Sequence, residues 1–158
     1  VIHTVDPATG NRDEVYAEVV LGLGEALVGN YPGRALSFTS RKGHHEPRIL
    51  SYPSKSHGLY GGGLIFRSDS NGEDLAGFAG AGLYDSFVLP RPRKLPLDYT
   101  EELLFWSEPF RRNLLVNIAL IGTMVERLLG APQDIEGACC RGQYFVVQTR
   151  PQIGLTED

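Results

Sequence analysis

The chain has 158 residues and carries 15 Lys and Arg against 19 Asp and Glu, a net charge of −4 at neutral pH. That length supports one domain with a real core, and the composition is that of an ordinary globular protein. The acidic balance, with no long Lys/Arg run, excludes a basic face for nucleic acid. The most apolar run, Leu114 to Val125, is broken by Asn117 and is too short to span a bilayer, so it reads as a buried helix. The two cysteines, Cys139 and Cys140, are adjacent and on a strand point to opposite faces. No structural disulfide is expected from them, which fits a reducing compartment. Val1-Ile2-His3-Thr4 has the character of mid-strand sequence, with no initiator Met or targeting peptide before it. We expect a fragment of a longer protein.

In chain order, Val1 to Thr4 reads as a short strand, Asp6 to Asn11 as a turn, and Glu14 to Val20 as the partner strand. Gly22-Leu23-Gly24-Glu25 allows a tight backbone, with Glu25 opening a short helix that Gly29 ends. Ala35 to Ser40 and Arg48 to Tyr52 read as strands around a polar loop. His44-His45 in that loop has no clustered ligand at metal-site spacing and reads as solvated. His57 reads as structural. Gly61-Gly62-Gly63 is a bend, and Leu64 to Arg67 is a strand entering a Gly-rich stretch that ends at Ser86. Backbone N–H groups of such a stretch cradle phosphates in other folds. Here Asp69, Glu73 and Asp74 oppose that reading, and a loop whose acids cap a turn is the competing one.

Leu89 to Pro96, rich in Pro, Arg and Lys, reads as an exposed connector, Leu97 to Thr100 as an edge strand, and Glu101 to Phe105 as a helical turn. Glu108 to Leu129 has helical spacing in Leu115, Ile118, Ala119, Val125 and Leu129, with Gly130 as its stop. Arg111 and Arg112 point by default to solvent. The order sheet, long helix, hairpin gives an α+β fold, mainly antiparallel sheet with one long packing helix.

The hairpin, Gln133 to Gly137 and Gln143 to Pro151, carries the chemistry. Asp134 and Glu136 share one face of the first strand, as do Gln148 and Arg150 of the second. Paired carboxylates suit a hard cation such as Mg²⁺, and a guanidinium suits a phosphate. The simplest single reading is a metal–nucleotide site; the competing one is a surface hairpin with a polar outer face. Register decides whether the four residues meet. A turn of Arg141 and Gly142 alone places Gln148 opposite Ile135 and sends the two polar pairs to opposite faces. A three-residue turn, Arg141 to Gln143, or an equivalent bulge, sets Glu136 opposite Gln148 and Asp134 opposite Arg150. We expect that register.

Asp-Ile-Glu, a turn, then Gln-Thr-Arg resembles the end of the ATP-grasp nucleotide-binding domain of dikinases such as pyruvate phosphate dikinase and phosphoenolpyruvate synthase. The strand, Asp-Pro-Ala-Thr-Gly turn, strand and Gly-Leu-Gly-Glu occur in the same order there. With Tyr16 to Val20, Tyr31 to Arg34, Tyr52 to Lys55, Phe66 to Leu75, Ala79 to Ser86 and Leu97 to Tyr99, essentially the whole chain resembles the C-terminal end of the α-glucan, water dikinases. Gly61 to Gly63 departs from that pattern. Arg67 follows the Gly-Glu segment, whereas the Arg-Ser loop of pyruvate phosphate dikinase precedes it, so that loop's role is not carried over.

The resemblance implies one domain, residues 1–158, forming the C-terminal portion of an ATP-grasp domain. It implies ATP and Mg²⁺ as cofactors and the reaction ATP + α-glucan + H₂O giving phosphoglucan, AMP and phosphate. A phosphohistidine on a separate domain of the parent chain carries the β-phosphate, α-glucan is the substrate, and the plastid is the compartment. Asp134 and Glu136 are the expected metal ligands, Gln148 orients a phosphate or metal-bound water, Arg150 holds a phosphate, and Glu25 adds to the nucleotide site. No nucleic-acid or membrane partner is expected. The alternatives are an ATP-grasp carboxylate–amine ligase releasing ADP and a non-catalytic glucan-binding module. The latter needs exposed aromatic platforms, whereas Trp106, Tyr31, Tyr60 and Tyr84 are scattered and expected to be buried.

Overall fold

The computed structural model describes all residues except 29–30, 45, 62–63, 67–73, 76–77, 80–86 and 154–158. The proposed Gly29 helix stop, His45, the Gly62-Gly63 bend, Tyr84 and most of the Arg67 to Ser86 stretch lie outside the described residues. In chain order the elements are β1 (Ile2–His3), β2 (Glu14–Val19), α1 (Glu25–Val28), β3 (Leu36–Arg41), β4 (Pro47–Ser51) and β5 (His57–Tyr60). Then follow β6 (Leu64–Phe66), β7 (Asp74–Leu75), β8 (Phe78–Ala79), β9 (Phe87–Leu89), β10 (Arg93–Pro96), α2 (Leu103–Trp106), α3 (Glu108–Leu129), β11 (Gln133–Cys140) and β12 (Gln143–Pro151).

Six strands form the main sheet in the order β12-β11-β1-β2-β3-β4, each pair antiparallel. β1 is only two residues long, yet it joins the N-terminal hairpin to the C-terminal one, with Ile2 opposite both Ala17 and Ile135. The period-two pattern of β2 sorts the faces. Val15 and Ala17 are buried, whereas Glu14, Tyr16 and Glu18 are only half-buried. Ile2, Val15, Ala17, Phe38 and Ile135 face one side and form the core with Leu115 and Ala119 of α3.

The long helix lies on this apolar face and leaves the other face to polar side chains. Its ends are locally encoded: Ser107 Oγ accepts from the Phe110 N–H at 3.3 Å, and Pro109 sits in the first turn. At the other end Gly130, left-handed at φ 73°, donates its N–H to the Glu126 carbonyl. The extended mixture of sheet and single packing helix is the α+β arrangement expected.

Four local expectations fail. Arg93–Pro96, expected as connector, is strand β10 paired with β5, and the edge strand expected at Leu97 to Thr100 is absent. Pro96 ends that strand opposite His57, at the edge of a two-stranded sheet where its missing donor is tolerated. Arg111 does not point to solvent: its Nη1 donates to the carbonyls of Leu104 and Phe105, satisfying groups at the end of α2. Trp106, expected to be buried, is 69% exposed.

Of the two glycines before Glu25, Gly22 is the one the backbone requires. At φ 86°, a Cβ there would stand 2.3 Å from the Leu59 carbonyl oxygen, which accepts the Leu23 N–H at 2.7 Å. Gly122 plays the same part within α3, where an added Cβ would lie 2.9 Å from Ile2 Cγ2 and 3.4 Å from Val15 Cγ1. A larger residue gains about 1 kcal/mol of helix propensity but overpacks the helix–sheet seam at a cost of about 1–3 kcal/mol, more for a branched side chain. Gly122→Leu is therefore expected to lower stability, read as a reduced denaturant midpoint; a raised midpoint would show that α3 does not pack this closely.

Candidate functional site

The β11–β12 hairpin brings the four sequence-selected residues onto the polar face. Asp134 pairs with Arg150 and Glu136 with Gln148. The register is the expected one, but the expected three-residue turn is not how it arises. Cys140 pairs with Gln143, so the turn is only Arg141 and Gly142. Both have positive φ, 51° and 77°, as a type I′ turn requires. That turn matches the twist of its strands. The odd residue is absorbed by a bulge instead: Gly137 pairs with Val146 and Glu136 with Gln148, leaving Val147 as the extra residue. Without the bulge Gln148 would stand opposite Ile135, and Arg150 would turn toward the core face.

Arg150 donates from Nε at 3.1 Å and from Nη2 at 2.9 Å, both to Asp134 Oδ2. The guanidinium thus grips one carboxylate oxygen, and Oδ1 lies 3.6 Å from His3 Nδ1. Burial lowers the His3 pKa below its ordinary value and outweighs the raising effect of Asp134, so the ring is neutral at pH 7. The contact therefore joins a neutral imidazole to a carboxylate. His3 Cα is in register with Asp134 on one side and Tyr16 on the other. Tyr16 Oη in turn donates to Glu18 Oε1 at 2.8 Å. Desolvation, with the Glu18 hydrogen bond next, pushes the Tyr16 phenol up to about 12.

His3, Tyr16 and Glu18 escaped the sequence reading. Alternation on β1 and β2 indicates which of them share a face, but not that β1 is laid against β11. Glu25 does not join the four hairpin residues. It sits half-buried in α1, which packs against β5.

Among the described residues no group of three or more His, Cys, Asp or Glu converges as a metal cage. The donor set still fits a cation of the Mg²⁺ kind, which keeps several waters and is held by one or two carboxylates plus substrate phosphates. Asp134 Oδ1 and the Glu136 carboxylate would hold it. Cys139 and Cys140 are free and exposed, beyond the bulge.

No protein-family model matches the chain. Among curated proteins it is 54% identical over 155 residues to the chloroplastic alpha-glucan water dikinase of Solanum tuberosum, a match spanning 97% of this chain and 11% of that protein. It is 52% identical over the same length to the chloroplastic alpha-glucan water dikinase 1 of Arabidopsis thaliana, again 97% of this chain and 11% of the relative. The chain is a homologue of a segment of the alpha-glucan water dikinases. It spans only about a tenth of the length of the dikinases it matches. A more distant match, 26% identical over 153 residues, is the rifampicin phosphotransferase of Streptomyces sviceus, covering 96% of this chain and 14% of that protein. A dikinase and a phosphotransferase are therefore what the nearer and the more distant of these relatives are named.

The Asp134–Arg150 contact is partly desolvated, with side chains 17% and 37% exposed. A double-mutant cycle of Asp134→Asn and Arg150→Gln, read by chemical denaturation, is expected to give a coupling energy of about 1 kcal/mol, above the smaller values of exposed pairs. A coupling indistinguishable from zero would show that the two side chains do not hold one another.

Proposed function

We propose that this chain is the C-terminal portion of an ATP-grasp nucleotide-binding domain, acting within a starch-phosphorylating dikinase of the plastid. The reading is that the parent protein converts ATP, α-glucan and water to phosphoglucan, AMP and phosphate, by way of a histidine on a separate domain of the same parent chain. The observation that carries it is the juxtaposition of Asp134, Glu136, Gln148 and Arg150 on one polar face, in register and backed by the core. The two chloroplastic dikinase relatives support the substrate class and the compartment.

Arg150 would bind a nucleotide phosphate, exchanging its contact with Asp134 for charge-assisted hydrogen bonds to phosphate oxygens. Gln148 would orient a phosphate or water through its amide. Asp134 and Glu136 would hold Mg²⁺, whose chemistry is to neutralise charge on the phosphates as the bridging bond breaks. Glu25 is a more peripheral contributor. Since this chemistry is positioning and charge stabilisation, loss of one group lowers or abolishes the rate without changing the products.

The test uses the parent protein with ATP labelled at the β- or the γ-phosphate, without glucan. Stable labelling of the protein from the β-phosphate, with AMP released, is the expected result. Labelling from the γ-phosphate, or ADP as product, would replace the dikinase reading by the ligase type of ATP-grasp chemistry. Asp134→Ala is expected to abolish labelling while leaving glucan binding intact. Arg150→Lys should lower the labelling rate by roughly tenfold or more, because an ammonium cannot reproduce the planar fork. Labelling retained by both variants would remove the hairpin from the site.

A further inference from the structure

Past β1 the polar face runs into an open pocket of about 370 Å³. Glu18 of β2, Ser37 of β3 and Ser51 of β4 line it, together with Tyr31, Arg34 and Lys55. The hairpin chemistry does not use it. β2 lies three strand spacings from β12, about 15 Å, farther than the phosphates of one nucleotide held at Arg150 extend.

The lining holds buried positive charge without a counter-charge. Lys55 is only 6% exposed, yet among the described residues its ammonium forms no ion pair. One of its three donors goes to the Tyr31 carbonyl at 2.7 Å, and the others remain for a ligand. Arg34 adds a guanidinium that is likewise outside any ion pair among the described residues. Lys94 Nζ stands 5.4 Å from the Tyr31 ring centroid, a third cation one ring away. A buried cation is costly unless an anion or further hydrogen bonds compensate it. Ser51 Oγ donates to the Ala35 carbonyl at 3.0 Å and lies 2.8 Å from Ser37 Oγ, so Ser37 holds the hydroxyl proton that can turn to a ligand.

Glu18 decides which anion fits. Its Oε1 accepts from Tyr16 at 2.8 Å, and its other oxygen accepts from no group among the described residues. A fully ionised oxyanion such as sulfate brings only lone pairs to that oxygen and is repelled. Inorganic phosphate at mildly alkaline pH still carries one O–H, which donates to the carboxylate while its ionised oxygens accept from the cations. A phosphate monoester loses its last proton with a pKa of about 6 and has none to offer at pH 8. We propose that this pocket is a binding site for inorganic hydrogen phosphate. Arg34 and Lys55 hold the ionised oxygens, and Glu18 accepts from the protonated one. The site goes beyond the function proposed above and does not rest on it.

The experiment uses the full-length parent protein at pH 8, with the nucleotide site filled by a non-hydrolysable ATP analogue and Mg²⁺. Equilibrium dialysis measures binding of radiolabelled orthophosphate, with sulfate and glucose 6-phosphate as competitors. Wild-type protein is expected to bind phosphate roughly tenfold or more tightly than either competitor, the worth of one hydrogen bond to a charged group. Arg34→Gln is expected to weaken phosphate binding by roughly tenfold on the same arithmetic, and Arg34 is exposed, so this variant folds and carries the test if the other does not. Glu18→Gln keeps an oxygen that accepts from Tyr16 and removes the repulsion, so sulfate should come within about threefold of phosphate. Phosphate binding that is absent from the wild type, or unchanged in Arg34→Gln, overturns the site. Sulfate or glucose 6-phosphate binding as tightly as phosphate to the wild type overturns the assignment of the protonated anion.

Discussion

Everything at the candidate site depends on one extra residue in one strand. The type I′ turn at Arg141-Gly142 closes the β11–β12 hairpin with even spacing, and even spacing would turn Arg150 away from Asp134. The bulge at Val147 shifts the remainder of β12 by one residue and restores the match. The extra residue is tolerated there because this part of the hairpin lies beyond the helix-covered core, where Val147 is 65% exposed. Below the bulge, Ile135 is fully buried and holds the register.

The same division of labour runs through the sheet. One face is apolar and closed by α3, packed closely enough that position 122 admits only Gly without rearrangement. That closure makes the opposite face available for polar work. Its side chains form a row across four strands, from Arg150 through Asp134 and His3 to Tyr16, each in register with the next. Neutral His3 lets the carboxylate keep its charge for Arg150 or for a cation, rather than sharing it with an imidazolium. A rigid platform of this kind suits chemistry in which the protein positions phosphates and stabilises charge.

Homology and geometry bear on different statements. Identity of 52–54% over nearly the whole chain relates it to alpha-glucan water dikinases, and a phosphotransferase is found again at greater distance. The atoms add what names do not: which oxygen of Asp134 is gripped, which remains beside His3, and where the face continues into a pocket. Of Trp106, Tyr31 and Tyr60, only Trp106 is exposed, and one exposed ring is not a stacking platform for glucan.

Much of this was legible in the sequence, because it is encoded locally. Ser107, Pro109 and Gly130 mark the ends of α3 within one turn of each end, and its apolar spacing marks the buried stripe. Alternation placed Asp134 with Glu136 and Gln148 with Arg150, and the demand that they meet required an odd residue somewhere in the hairpin. Where that residue lies was decided by turn and strand twist together, and it lies at Val147 rather than in the turn. β10 was missed because Arg93-Lys94-Leu95-Pro96 has no strand pattern of its own; pairing with β5 makes it a strand. Membership of His3, Tyr16 and Glu18 in the polar row depends on β1 pairing with a strand about 130 residues away, a contact set by burial of Ile2 against Ile135 and α3. Local chemistry therefore determined the helix, the turns and the residue pairs; only long-range packing decided which pairs became neighbours.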